Sequence, residues 1–103
     1  MYNQVESHFM DNDIYSTAIY SPCKSYRYLL NRTKVNAKKS LLFILLNPST
    51  ATEFKNDPTI ARCQKRSEVL NYKAFTICNL FAFRTKSPRV MKNYYDPIGP
   101  ENT

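Results

Sequence analysis

Residues 41–50 read Leu-Leu-Phe-Ile-Leu-Leu-Asn-Pro-Ser-Thr, six apolar side chains without a break and then an abrupt turn to polarity. An uninterrupted apolar run of this length is the pattern of a strand whose sheet is covered on both faces. Pro48 has no N–H to give a ladder and holds Asn47 extended, so the strand is predicted to stop there. The polar residues that follow occupy the place where open α/β sheets bind ligands, just past the carboxyl end of a central strand. Asn47 is therefore a candidate catalytic residue, and Pro48, Ser49 and Thr50 are candidate substrate-binding residues.

Downstream, Thr50 and Glu53 have the spacing of a capping box, which predicts a short helical turn. A second helix start follows. Asp57 can cap, Pro58 suits the first helical position, and Ile60, Cys63, Ser67 and Leu70 recur on one face. Arg62, Lys65, Arg66 and Val69 form another, largely cationic stripe whose ordinary role is a solvated face. Ala74–Leu80 reads as a strand, and a strand–helix–strand order over 41–80 requires its two strands to pair in parallel. Asn79 then reaches the same sheet edge as Asn47. Phe81 to Thr85 is an exit loop, Ser87-Pro88 predicts a short helix over 89–94, and 96–100 is turn-forming.

Upstream, Ile14–Tyr20 and Ser25–Asn31 are rich in β-formers and predict an antiparallel hairpin linked through Pro22 and Cys23. Residues 32–40 read as a basic, solvated loop, and 1–13 as a loose, polar lead-in. The expected fold class is α/β, in three layers, with a mixed sheet. It combines the hairpin (14–31) with a parallel β-α-β unit (41–80) in a single domain spanning 1–103.

Composition narrows the function classes. The chain has 103 residues, 43% hydrophobic and 14% aromatic, a globular balance. A single glycine excludes the glycine-rich phosphate loops. A net charge of +7 and a pI near 9.5 favour an anionic partner, nucleic acid before membrane. AT-rich coding produces a similar Lys, Asn, Tyr and Ile content, so composition alone leaves both origins open. Three cysteines without a close pair and one histidine, His8, argue against a disulfide framework, a zinc site or a nucleophile–His pair. No metal or cofactor is expected. The start of the chain lacks a secretory pattern and the longest apolar run is far short of a membrane span, so a cytoplasmic location is expected.

Four ordered motifs carry a resemblance: LNPSTA (46–51), NDPTIARC (56–63), NLFAFR (79–84) and DPIGPEN (96–102). They resemble those of an uncharacterised bacterial and phage family, domain of unknown function 1643. Members of that family continue through a further strand and helix to a Gly-x-Pro-x-His-Pro motif, so the resemblance implies that this chain is either a fragment, incomplete at its carboxyl end, or a reduced form that lacks part of the family's site. A more distant resemblance is to the uracil-DNA glycosylase-like superfamily, of three-layer α/β fold. In its mismatch-specific branch a Gly-Ile-Asn-Pro-Gly motif carries the Asn that positions the attacking water, and Asn47-Pro48 is similar in place. A later strand there ends in a base-reading Asn, which Asn79 resembles. The iron–sulfur Cys of one branch corresponds to Phe83, so no cluster is implied.

Residue chemistry runs beside these resemblances. A carboxamide orients a water or reads a base edge, but is not a strong base. Asp57 is the nearest carboxylate that offers basicity, against its ordinary role as a helix cap. Ser49 and Thr50 suit phosphate or simple capping. Phe81 and Phe83 suit base stacking or the core, and Arg84 a phosphate or an acid. Three readings result: a nucleobase- or nucleotide-directed N-glycosidic hydrolase, a non-catalytic nucleic-acid-binding module, or an inactive fragment.

Overall fold

The computed structural model describes residues 4–85 and 98–99. Their elements are β1 (Val5–Asp11), β2 (Ile14–Tyr20), β3 (Arg27–Lys34), β4 (Ser40–Leu45), α1 (Pro58–Val69) and β5 (Ala74–Asn79). The strands form one mixed five-stranded sheet in the order β1-β2-β3-β5-β4. β1, β2, β3 and β5 pair antiparallel in succession, whereas β4 and β5 pair in parallel. The fold is broadly α/β and mostly sheet.

Alternation in the sequence decides which face each strand buries. In β2, Ser16, Ala18 and Tyr20 point inward, and Leu30 of β3 lies opposite Ile77 of β5 with both wholly buried. α1 covers this face with Ile60 and Cys63, and the core gathers Ala18, Tyr20, Leu30, Ala51, Phe75 and Ile77 around them. Leu41, Phe43 and Leu45 of β4 pack against its margin. Asp57 caps α1 and Pro58 occupies its first turn, as the sequence predicts.

Turns are made with little glycine. Asn12 (φ 55°), Asn36 (φ 69°) and Asn71 (φ 64°) take the left-handed conformation that Asn tolerates best among residues with a side chain, and Lys24 (φ 62°) joins them. Gly99, at φ 96°, sits where an added Cβ would approach Tyr26 to 3.0 Å and Tyr28 to 3.1 Å. Any side chain there is strained by the backbone and must push these rings aside by a few tenths of an ångström.

Three expectations are corrected. β4 lies at the sheet edge rather than its centre, and Leu42 and Ile44 are 59% and 62% exposed. An apolar run reports hydrophobicity but not which neighbours a strand has, and here the inward residues alternate with uncovered ones. α1 is the one helix among the described residues and lies on one face of the sheet, so these residues supply two layers of the expected three. Residues 5–11 form β1 rather than a lead-in; their outward residues Glu6 and His8 are polar and obscure the strand. Residues 50–53 form no helical turn, because Glu53 turns inward instead of reaching back to a cap. The expected helix over 89–94 and most of the turn at 96–100 lie outside the described residues.

The edge position has a measurable consequence. Replacing exposed Ile44 with Thr is expected to change stability by less than about 0.5 kcal/mol. Ile77→Ala, at the centre of the core, is expected to cost roughly 2–5 kcal/mol. Urea denaturation of the two variants checks both values, and equal losses would show that something covers β4.

Candidate functional site

Because β3 runs antiparallel to β5, its first residues lie beside the carboxyl end of β5. The end of β2, the start of β3 and the ends of β4 and β5 therefore meet along one edge. Asn47, Pro48 and Asn79 belong to this edge, with Tyr20 and Arg27 opposite. Backbone bonds from Leu80 N–H to the Leu45 carbonyl (2.9 Å) and from Phe81 N–H to the Leu46 carbonyl (3.0 Å) extend the β4–β5 pairing outward. Residues 82–85 then cross the start of β3, with the Arg27 N–H donating to the Ala82 carbonyl and the Arg84 N–H to the Ser25 carbonyl, both at 2.9 Å.

Asn47 is half-buried. Its Nδ2 donates to the Thr85 carbonyl at 2.8 Å and to the Pro48 carbonyl at 3.1 Å. These bonds fix the carboxamide plane and stitch the two exit loops together. Among the described residues none donates to its Oδ1. Pro48 is buried, Ser49 half-buried and Thr50 exposed. Asn79 is 6% exposed, and Phe81 is half-buried. Phe83 packs edge-on against Tyr26 at 5.9 Å, which gives it a place in an aromatic cluster with Tyr28.

Asp57 is committed to the fold by both of its oxygens. Its Oδ1 accepts from the Ile60 N–H at 2.9 Å, and its Oδ2 from the Ala51 N–H at 3.1 Å. One carboxylate thus caps α1 and latches the β4–α1 loop. With both oxygens so engaged, the geometry gives it a binding role within the fold.

The residues that sequence reasoning missed are Tyr20, Arg27, Arg32 and Glu53. A β-bulge between Ile19 and Tyr20 turns Arg27 and Tyr28 both inward. Simple alternation would send Arg27 outward, and a bulge leaves no mark in the sequence. Arg27 is 1% exposed, and its Nη1 donates to the Ala51 carbonyl at 3.0 Å. Its Nε has no hydrogen-bond partner, and no described carboxylate forms an ion pair with it. Burial pulls its pKa down to about 10. Arg84 lies half-buried with its guanidinium 5.1 Å from the Tyr20 ring centre, and its buried Nε is likewise unpartnered. Its Nη1 donates to the Lys24 carbonyl at 3.2 Å.

Tyr20 donates to Glu53 Oε1 at 2.8 Å, and the Ser7 hydroxyl donates to the other carboxylate oxygen. Burial, and then the Glu53 carboxylate, push the Tyr20 hydroxyl up to about 12. Burial alone raises Glu53, but the hydrogen bonds from Ser7 and Tyr20 outweigh it and hold the carboxyl below its ordinary value of 4.5. Arg32 binds the β4–α1 loop through Nη2, which donates to the Thr52 carbonyl at 2.7 Å and the Lys55 carbonyl at 3.1 Å.

A model of the family described as protein of unknown function (DUF1643) matches residues 27–103. The chain belongs to this family. The DUF1643 match begins at the first residue of β3, so Arg27, Asn47, Asp57, Asn79 and Arg84 all fall within it, and the β1–β2 hairpin with Tyr20 falls outside. No curated protein and no solved structure matches the chain. Among the described residues of this DUF1643 chain no group of three His, Cys, Asp or Glu is placed to hold a metal. No described helix is long and apolar enough to cross a membrane.

Two outcomes test this geometry. Asp57→Ala removes a cap and a loop latch together and is expected to lower stability by roughly 1–3 kcal/mol, read from a urea midpoint. Glu53 titrates lower in the folded than in the unfolded chain. Its contribution is therefore present above pH 4.5 and lost as pH falls through the folded value. Stability measured against pH should fall less steeply below that point in Glu53→Gln than in the parent.

Proposed function

We propose that the carboxyl edge of the β4–β5 pair binds a phosphate-bearing partner, nucleic acid or nucleotide, and that binding rather than hydrolysis is the main role of this domain. The observation that carries this reading is Arg27, wholly buried with no direct ion pair to a carboxylate among the described residues. Asp57 offsets part of the cost of this desolvated cation without contacting it, and an external anion would offset more. Arg84 and Arg32 each depress Arg27 further, a mutual repulsion that a bound phosphate relieves. Arg84, the more accessible of the pair at the edge, makes the outer contact, and Arg27 strengthens the field behind it. Asn47 and Asn79 supply amides at the strand ends for a base edge, with Pro48, Ser49, Thr50 and Phe81 around them. The overall charge of +7 supports the same class of partner.

One observation favours a second reading, N-glycosidic hydrolysis in the manner of the glycosylase-like superfamily. Asn47 has its amide nitrogen locked by two carbonyls, which leaves Oδ1 fixed in direction to orient a water. Against it, Asp57 is committed to the helix cap and loop, and no other described carboxylate has been assigned the task of deprotonating that water. Binding therefore ranks first.

Fluorescence anisotropy of a short labelled single strand, titrated across salt, tests the binding reading. Affinity is expected to fall steeply as salt rises. Arg84→Gln should weaken it by about five- to tenfold and reduce the salt slope by about one. Negligible or salt-independent binding by folded protein would sink this reading. For hydrolysis, base release from the same strand must depend on Asn47; release unchanged in Asn47→Ala removes that reading.

A further inference from the structure

The opposite, amino edge of the sheet carries a separate cavity. α1 packs along β5 and ends at Leu70, leaving the starts of β2 and β5 and the end of β3 uncovered beside its last turns. The gap is a cavity of about 390 Å³, with Ile14, Tyr72 and Phe75 as its apolar lining. That volume lies within the ordinary range for small-molecule sites. Gln64, Glu68 and Asn71 supply polar groups, and Arg32, Lys34 and Lys73 supply cations. A second, shallower cleft continues from it, sharing Asn71 and Lys73 and adding Lys38 and Lys39.

The frame is set by backbone. Asn71 is left-handed, its N–H donates to the Glu68 carbonyl at 3.0 Å, and Tyr72 N–H donates to the Ser67 carbonyl at 2.9 Å. This closes the helix and fixes Tyr72 at the cavity. Lys34 N–H donates to the Lys73 carbonyl at 2.7 Å, joining the end of β3 to the approach of β5. Arg32 is 7% exposed, and its Nη1 has no hydrogen-bond partner because Nε and Nη2 are directed at the β4–α1 loop.

We infer that this edge binds a nucleoside-phosphate group, with the base in the larger cavity and the phosphate in the cleft against Lys38, Lys39 and Lys73. Aromatic and aliphatic walls suit a flat ring. The carboxylate of Glu68 accepts from a ring amine or N–H and repels a simple carboxylate ligand, while the amides of Gln64 and Asn71 both donate and accept. An aromatic and aliphatic lining, a hydrogen-bonding edge and an adjoining cluster of lysines match the three parts of a nucleotide. Offsetting the partial negative charge at the carboxyl end of α1 accounts for a cation near Asn71, but not for Lys38 and Lys39 on the β3–β4 loop. This site lies at the opposite end of the strands from the carboxyl edge; Arg32 is common to both, lining this cavity while its charge acts on Arg27.

Isothermal titration of the full chain with AMP, adenosine and inorganic phosphate is the test. AMP is expected to bind saturably and at least about tenfold tighter than either component, since it engages cavity and cleft together. Lys38→Gln combined with Lys39→Gln should weaken AMP by about fivefold or more and leave adenosine unaffected. Circular dichroism confirms that this surface variant is folded. A 5′-phosphorylated oligonucleotide and its 5′-hydroxyl counterpart distinguish the sources. Competition by the phosphorylated strand alone assigns the site to a strand end, and competition by neither assigns it to the free nucleotide. No saturable AMP binding by folded protein overturns the inference, as does AMP binding insensitive to the lysine variant. If Arg84→Gln weakens AMP instead, the ligand sits at the carboxyl edge; the proposed function then stands and this inference falls.

Discussion

The carboxylate of Asp57 holds the two ends of a problem that this fold must solve. Between β4 and α1 the chain crosses the inner face of the sheet as a loop, and Ala51 within it is wholly buried. A buried loop carries backbone groups that no ladder satisfies, and each is costly if left alone. Asp57 accepts from the Ala51 and Ile60 N–H groups, while Arg27 and Arg32 donate to the Ala51, Thr52 and Lys55 carbonyls. Side chains thus replace secondary structure as the means of satisfying this segment. The same two arginines bring positive charge into the interior, so loop stability and the candidate site rest on shared residues.

Much of the fold was legible because its signals were local. Cap, proline and apolar periodicity marked α1 to the residue at its start. β-forming runs on either side of Pro22 and Cys23 marked the hairpin, and the strand–helix–strand order pointed to parallel pairing of β4 and β5. What stayed hidden depended on partners distant in the chain. Leu42 and Ile44 look no different from core residues until the strand order is known. Glu53 fitted a cap by its spacing from Thr50, yet its partners are Ser7 and Tyr20, 46 and 33 residues away. Asn47 and Asn79 were correctly assigned to one edge by topology, whereas the bulge that turns Arg27 inward had no sequence signal at all.

The β1–β2 hairpin lies outside the matched family region but does not merely append to it. Tyr20 enters the core, and together with Ser7 it secures Glu53 on the loop that the family region supplies. The hairpin therefore closes the candidate edge from one side. Its removal would leave the edge of β3 unpaired and strip Glu53 of the Ser7 and Tyr20 hydroxyls that hold its carboxyl below its ordinary value.

The left-handed turns at Asn12, Asn36 and Asn71 lead to a different kind of consequence. Glycine is the usual residue at such positions, and it carries the largest loss of backbone freedom on folding. A side chain at each turn narrows the range of conformations open to the denatured chain, so less freedom is lost when the turn forms. Each Asn accepts some strain in the native turn in return. The sparse glycine content of this chain is thus a property of its unfolded ensemble as much as of its native turns, with the one glycine kept where the backbone is left-handed and Tyr26 and Tyr28 crowd the place of a Cβ.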